Sequence, residues 1–140
     1  MGTKVMNKIP ATVKQIENVD SLHIVSFDFN TTPIKMMSLE LNNIQIGTNV
    51  NLVVKPTHVS IAKEFQGLTS FSNTLQGTLT NTECGKLLCN LKITMQNSKE
   101  TVLESIITLE SFNHMQLKKG DDLSVFIKSS DISILEVTHD

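Results

Sequence analysis

Residues 50–63, VNLVVKPTHVSIAK, return as residues 123–136, LSVFIKSSDISILE. Each stretch is an apolar strand, then a lysine, two short residues, a polar residue and a second β-branched alternation. Lys55 aligns with Lys128, 128 − 55 = 73, and the glycines ahead of them, Gly47 and Gly120, keep the same offset. Further upstream, NKIPATVKQIEN from Asn7 matches NTLQGTLTNTEC from Asn73, 73 − 7 = 66, and Ser38-Leu39-Glu40 matches Thr108-Leu109-Glu110, 108 − 38 = 70. A drifting offset of this kind is what a tandem duplication shows after two small insertions in the second copy. One insertion is expected near Gln96-Asn97-Ser98 and one in a short helix. The first copy then runs over residues 4–62, the second over 69–137, and residues 63–68 form a linker. Copies this short lie near the lower limit for an independent core, which points to a shared core or an oligomer, with function between copies or subunits.

Strand signals fill both copies. TVKQIENV, LHIVSFDF, NVNLVVK, GTLTNTE, LLCNLKITM, TVLESIITLE and LSVFIKSS mix β-branched and apolar residues with polar ones at near-alternating positions. Leu22, Ile24 and Phe27 or Phe29 are expected on one inward face, and Leu88, Leu91 and Ile93 on another. Asn30-Thr31-Thr32-Pro33, Ile46-Gly47-Thr48-Asn49, Gln96-Asn97-Ser98 and Lys119-Gly120-Asp121-Asp122 read as turns. One short helix is expected over Glu110–Leu117, with Phe112, Met115 and Gln116 on one face. Seven or more short strands and so little helix make an all-β barrel or sandwich.

Composition narrows the function. The chain has 140 residues, 39% of them hydrophobic, with 12 basic and 14 acidic residues spread along it for a net charge of −2. No basic cluster offers a footprint for a nucleic-acid backbone. Six Phe with no Trp or Tyr supply a poor stacking platform for single strands. No apolar run reaches membrane-spanning length, and MGTKVMNKIP has no apolar signal core, so a cytoplasmic location is expected. Cys84 and Cys89 are the only cysteines; they read as two reduced, partly buried thiols about a hairpin and are too few for a metal site. His23, His58, His114 and His139 form no ligand or catalytic pattern with one another. No nucleophile elbow, phosphate-cradling glycine loop or HExxH is present, and hydroxyls without a base are not nucleophiles. Neither catalysis nor a catalytic cofactor is expected.

What the repeat does offer is anion chemistry. Lys55-Pro56-Thr57 and Lys128-Ser129-Ser130 each place an ammonium beside a short segment that can present N–H and hydroxyl donors, although Pro56 removes one N–H. Thr69-Ser70-Phe71-Ser72-Asn73 is a dense donor run. Taken singly, a lysine at a strand end is an ordinary edge charge and a Ser-Ser-Asp an ordinary turn. The recurrence of lysine, glycine-bounded turn and Asn-led strand in both copies is what favours a ligand.

These residues resemble the Mop-type molybdate-binding (TOBE-like) domain of molbindins, of molybdate-responsive regulators and of molybdate transporter ATPases. Thr69–Leu79 looks like the family opening Ser-Ala-Arg-Asn-x-Leu-x-Gly-x-Val. Glu104–Ser111 is similar to Thr-Ser-Ile-Ile-Thr-x-x-Ser. Leu117–Ile132 is similar to Leu-x-x-Gly-x-x-Val followed by Ile-Lys-Ser-Thr-Asp-Val. The resemblance implies two tandem OB-like five-stranded barrels, each with one short helix at most, forming a homo-oligomer, a trimer by family likeness, with oxyanion sites where barrels or subunits meet. Carried over residue by residue, the site comprises Lys4, Asn7, Ser38, Lys55, Pro56 and Thr57 in the first copy. In the second it comprises Ser70, Ser72, Asn73, Thr108, Lys128, Ser129 and Ser130. Departures weaken the match: the family arginine is Ser72 here and Met6 in the first copy, which loses a bidentate donor, and Ala11 stands where the family has glycine. The expected function is binding of molybdate or tungstate for storage, homeostasis or sensing, with no membrane or direct nucleic-acid partner. The competing expectation is an OB-like interaction module that takes no oxyanion.

Overall fold

The structure, a computed structural model, describes residues 6–41 and 43–138. Ten strands make up most of it: β1 (Asn7–Val19), β2 (Leu22–Phe29), β3 (Thr32–Ser38), β4 (Asn49–Val54), β5 (Ser60–Lys63), β6 (Asn73–Cys84), β7 (Leu88–Met95), β8 (Ser98–Thr108), β9 (Asp122–Ile127) and β10 (Ser133–Val137). A single α-helix, α1 (Leu109–His114), and two 3-10 turns, Pro56–His58 and Ser129–Asp131, complete it. The all-β expectation holds, with two five-stranded sheets.

The duplication is carried into the backbone. Gly47 and Gly120 take the same left-handed φ, 96° and 98°. Gly47 donates to Val13 O at 2.8 Å, as Gly120 does to Leu79 O at 2.8 Å, so one glycine turn closes each copy identically. The first insertion is a bulge: Thr94 pairs with Val102 while Met95 pairs with Ser98, which leaves Lys99, Glu100 and Thr101 as extra residues. The second falls around α1. The helix is shorter and earlier than expected, because the Thr108 hydroxyl accepts from Ser111 N at 3.0 Å and fixes the start. Phe112 and Met115 pack against the core, but Gln116 is exposed with φ 53° and terminates the turn.

Hydrogen bonding does not follow the repeat boundaries. The sheet orders are β10-β4-β1-β2-β3 and β5-β9-β6-β7-β8, so each sheet takes one edge strand from the other copy. Ser60 pairs with Phe126, and Ser133 pairs with Val53, which is the same exchange read in both directions. Lys63 closes β5 and belongs to the strand. From Glu64 the chain crosses over Phe126, which meets Phe65 edge-on at 5.1 Å and Phe71 in a stack at 5.2 Å.

The buried apolar residues of both sheets form one continuous cluster, from Ile9 and Val13 to Val125 and Ile127. The inward face holds Phe27, Phe29, Leu91 and Ile93 as expected, and the expectation fails only at the starts of β2 and β7. Val25, Phe27 and Phe29 face in, as do Cys89, Leu91, Ile93 and Met95. Leu22 and Leu88 lie exposed on the outer face and Ile24 is only half-buried. Cys84 sits opposite Cys89 in the β6–β7 register, Cα atoms 4.0 Å apart, and the two form a disulfide. The expectation of free thiols is therefore corrected: the register, not the linear spacing, makes them neighbours. No helix among the described residues is long and apolar enough to cross a membrane.

Candidate functional site

Both lysine turns adopt one conformation. Lys55 has φ −70° and ψ 142°, Lys128 φ −72° and ψ 143°. His58 N donates to Lys55 O at 2.9 Å and Asp131 N to Lys128 O at 3.0 Å. Both lysines are exposed at the ends of β4 and β9, with Thr57 and Ser130 exposed beside them, Ser129 half-buried and Pro56 buried. The fold brings the two turns together: His58 Nδ1 lies 3.7 Å from Asp131 Oδ1. The reading from sequence found both turns and missed this contact, although His58 and Asp131 share the repeat offset, 131 − 58 = 73.

Each turn packs against the edge strand of the other copy, the Ser129–Asp131 turn on β3 and the Pro56–His58 turn on β8. Ser38 and Ser130 line a common groove of about 250 Å³ together with Glu40 and Ser133. Within it the Ser38 hydroxyl donates to Glu40 O and accepts from Glu40 N at 3.2 Å. On the opposite side the Ser105 hydroxyl donates to Val59 O at 2.7 Å and is fully buried.

The other expected positions are scattered. Lys4 lies outside the described residues. Ser70 and Ser72 are exposed in the segment before β6. The Thr108 hydroxyl serves the helix start. By strand register Thr108 corresponds to Leu39, since Leu88 pairs with Thr108, Cys89 with Ile107 and His23 with Ser38; Ser38 therefore corresponds to Ile107. The bulge in β8 adds three residues and takes the offset from 66 to 69, one short of the 70 read from the sequence.

Asn7 and Asn73 behave differently from any surface donor. Asn73 Oδ1 accepts from Lys35 N at 2.7 Å, and its Nδ2 donates to Lys35 O at 3.0 Å and Ile127 O at 3.1 Å. Asn7 Nδ2 donates to Glu104 O at 2.9 Å, and its Oδ1 accepts from Glu104 N at 2.8 Å. Asn7 is 0% and Asn73 1% exposed. Each amide is thus held by the backbone of the other copy's edge strand. No group of three or more His, Cys, Asp or Glu suited to a metal ion occurs among the described residues.

Two tandem barrels with lysine turns at their junction are the setting in which comparisons with known proteins become informative. Residues 69–134, the second copy, match the family model of the TOBE domain. Among solved structures, the fold matches that of the cytoplasmic molybdate-binding protein ModG, in a crystal form with molybdate bound. The TM-score is 0.84 at 22% identity, over 96% of this chain and 98% of that one. No curated protein matches the chain.

Proposed function

We propose that this chain binds molybdate or tungstate, as an intracellular binding protein with no catalytic step. The observation that carries the reading is the pair of identical lysine-led turns, each ending a core strand and meeting its counterpart through His58 and Asp131. The TOBE match of the second copy and the likeness of the whole fold to a molybdate-binding protein support it.

A tetrahedral dianion in water holds a shell of hydrogen-bond donors. The ammonium groups of Lys55 and Lys128 and the hydroxyls of Thr57, Ser129 and Ser130 replace that shell at a barrel junction, and charge-assisted bonds from the lysines supply most of the attraction. Ser70 and Ser72 stand as outlying donors, completed where subunits of a homo-oligomer meet, and Ser38 and Thr108 would join them only by giving up their hydrogen bonds to Glu40 and Ser111. Discrimination against sulfate rests on site size, because the charge is the same. Binding at an interface tightens the assembly by linkage, which suits storage, homeostasis or sensing of the anion in the cytoplasm.

Isothermal titration with molybdate, tungstate and sulfate tests this. Molybdate should bind at micromolar concentration or below, and Lys128→Ala or Lys55→Ala should weaken it at least tenfold. Native mass spectrometry of the same samples gives the subunit and anion count. Absence of both heat and thermal shift with either metal oxyanion rules the reading out.

A further inference from the structure

We infer that Asn7 and Asn73 are positioning residues for the lysine turns, acting from behind the site without touching the anion. The inference rests on the oxyanion reading above. Asn73 opens β6 and pairs in register with Ile127, whose successor is Lys128; Asn7 opens β1 and pairs with Val54, whose successor is Lys55. Each asparagine therefore stands directly behind the strand end that carries a lysine. Its side chain then reaches across to the other copy and takes both the N–H and the C=O of one residue in an edge strand, Lys35 of β3 or Glu104 of β8. A side-chain amide has the donor and acceptor of a peptide unit, so each asparagine acts as a one-residue strand that caps an otherwise open sheet edge.

The two clamps are reciprocal. Asn7 and Asn73 are 66 apart, and Glu104 and Lys35 are related by 104 − 35 = 69, the offset that the β8 bulge imposes. The capped strands are the same ones that pack on the turns, β3 on Ser129–Asp131 and β8 on Pro56–His58. Asn73 thus fixes three things at once: the end of β9 through Ile127 O, the edge of β3 through Lys35, and by their meeting the seat of the second turn. With both Nδ2 hydrogens already directed to carbonyls, Asn73 has no donor left for an anion.

Hydrogen exchange on the wild-type protein separates a positioning residue from a ligand. The amides of Lys35 and Glu104 should be protected without anion and stay protected at saturating molybdate. If they lose protection as molybdate binds, the asparagines turn to the anion and the inference is overturned. Asn73→Asp keeps the shape, removes both donors and adds a carboxylate that repels molybdate and sulfate alike, so the affinity ratio and the coupling to Lys128, not the affinity alone, read the positioning role. The variant should weaken molybdate binding at least tenfold, lower the molybdate-to-sulfate affinity ratio, and make an added Lys128→Ala cost less than it does in the wild type. An unchanged ratio and an undiminished cost of Lys128→Ala in folded Asn73→Asp overturn the positioning role alone, whereas a wild-type protein that takes up no molybdate overturns the oxyanion reading itself. Should Asn73→Asp fail to fold, the wild-type exchange experiment decides.

Discussion

His58 and Asp131 occupy the same position of the repeat and face each other across 3.7 Å, so the approximate twofold relation between the copies passes between them. The same relation governs the exchanged strands β5 and β10 and the two asparagine clamps. It sets the lysine turns side by side within a single chain.

A carboxylate at that point opposes an incoming dianion. Asp131→Asn removes the charge and leaves the turn's backbone bond from Asp131 N to Lys128 O in place. Its partner is exposed enough that the loss to folding should stay under about 1 kcal/mol. Molybdate affinity should instead rise by roughly threefold at low salt, and the gain should shrink as added salt screens the charge. Titrations of wild type and Asp131→Asn at two salt concentrations measure this; equal affinities at low salt would place the anion elsewhere.

The exchanged strand β5 is secured at its end by charge. Lys63 Nζ lies 3.2 Å from Asp121 Oδ2 and donates to Gln116 O at 2.8 Å, near the close of α1. Asp121 Oδ2 also accepts from Lys118 N at 2.9 Å. That backbone bond, with the ammonium of Lys63 beside it, holds the Asp121 carboxyl below its ordinary value of 3.8, against the smaller opposing effect of burial. A depressed folded-state pKa stabilises the fold above the unfolded value and ceases to do so as pH falls through the folded one. Asp121→Asn should therefore cost about 1–2 kcal/mol near neutral pH. The difference from wild type should narrow below pH 3.8 and vanish once Asp121 protonates in the folded protein. Urea unfolding of both proteins across the acid range checks it, and a gap that persists unchanged into strong acid contradicts it.

The repeat was legible because its signals are local: a glycine turn, a lysine after an apolar strand, alternation on either side. Gly77 illustrates the limit of such reading. The family-like glycine is there because a Cβ would stand 2.5 Å from Ile93 Cγ2 and 2.8 Å from Met95 Cε, a packing demand invisible in one dimension. Ala11 at the corresponding place is 7% exposed, so the first copy accommodates the extra carbon. The exchange of β5 and β10 left no sequence mark, since the pattern of a strand does not name the neighbour it pairs with. The asparagines were legible as donors, but their backbone partners were not, because an amide that can ring an anion can equally pair a peptide, and the partner of Asn7 lies 97 residues away. The disulfide was missed for a related reason: whether Cys84 faces Cys89 depends on the hairpin register.

Exchange of the edge strands predicts that neither copy folds well by itself. A fragment of residues 67–140 retains β6 to β9 but loses β5, which covers the edge of β9, and leaves β10 without β4. It also loses Val59, 2% exposed, and with it the carbonyl that the buried Ser105 hydroxyl bonds. An unpaired buried hydroxyl alone costs about 1–3 kcal/mol, and the open edge of β9 invites pairing with another chain. The fragment of residues 1–66 lacks β10 in the same way. Each fragment alone should show weak or concentration-dependent β-sheet circular dichroism. An equimolar mixture should recover the intact spectrum and a single cooperative melt, because each supplies the strand the other lacks. A monomeric 67–140 fragment that melts cooperatively at the temperature of the intact protein would mean that the exchanged strands are dispensable.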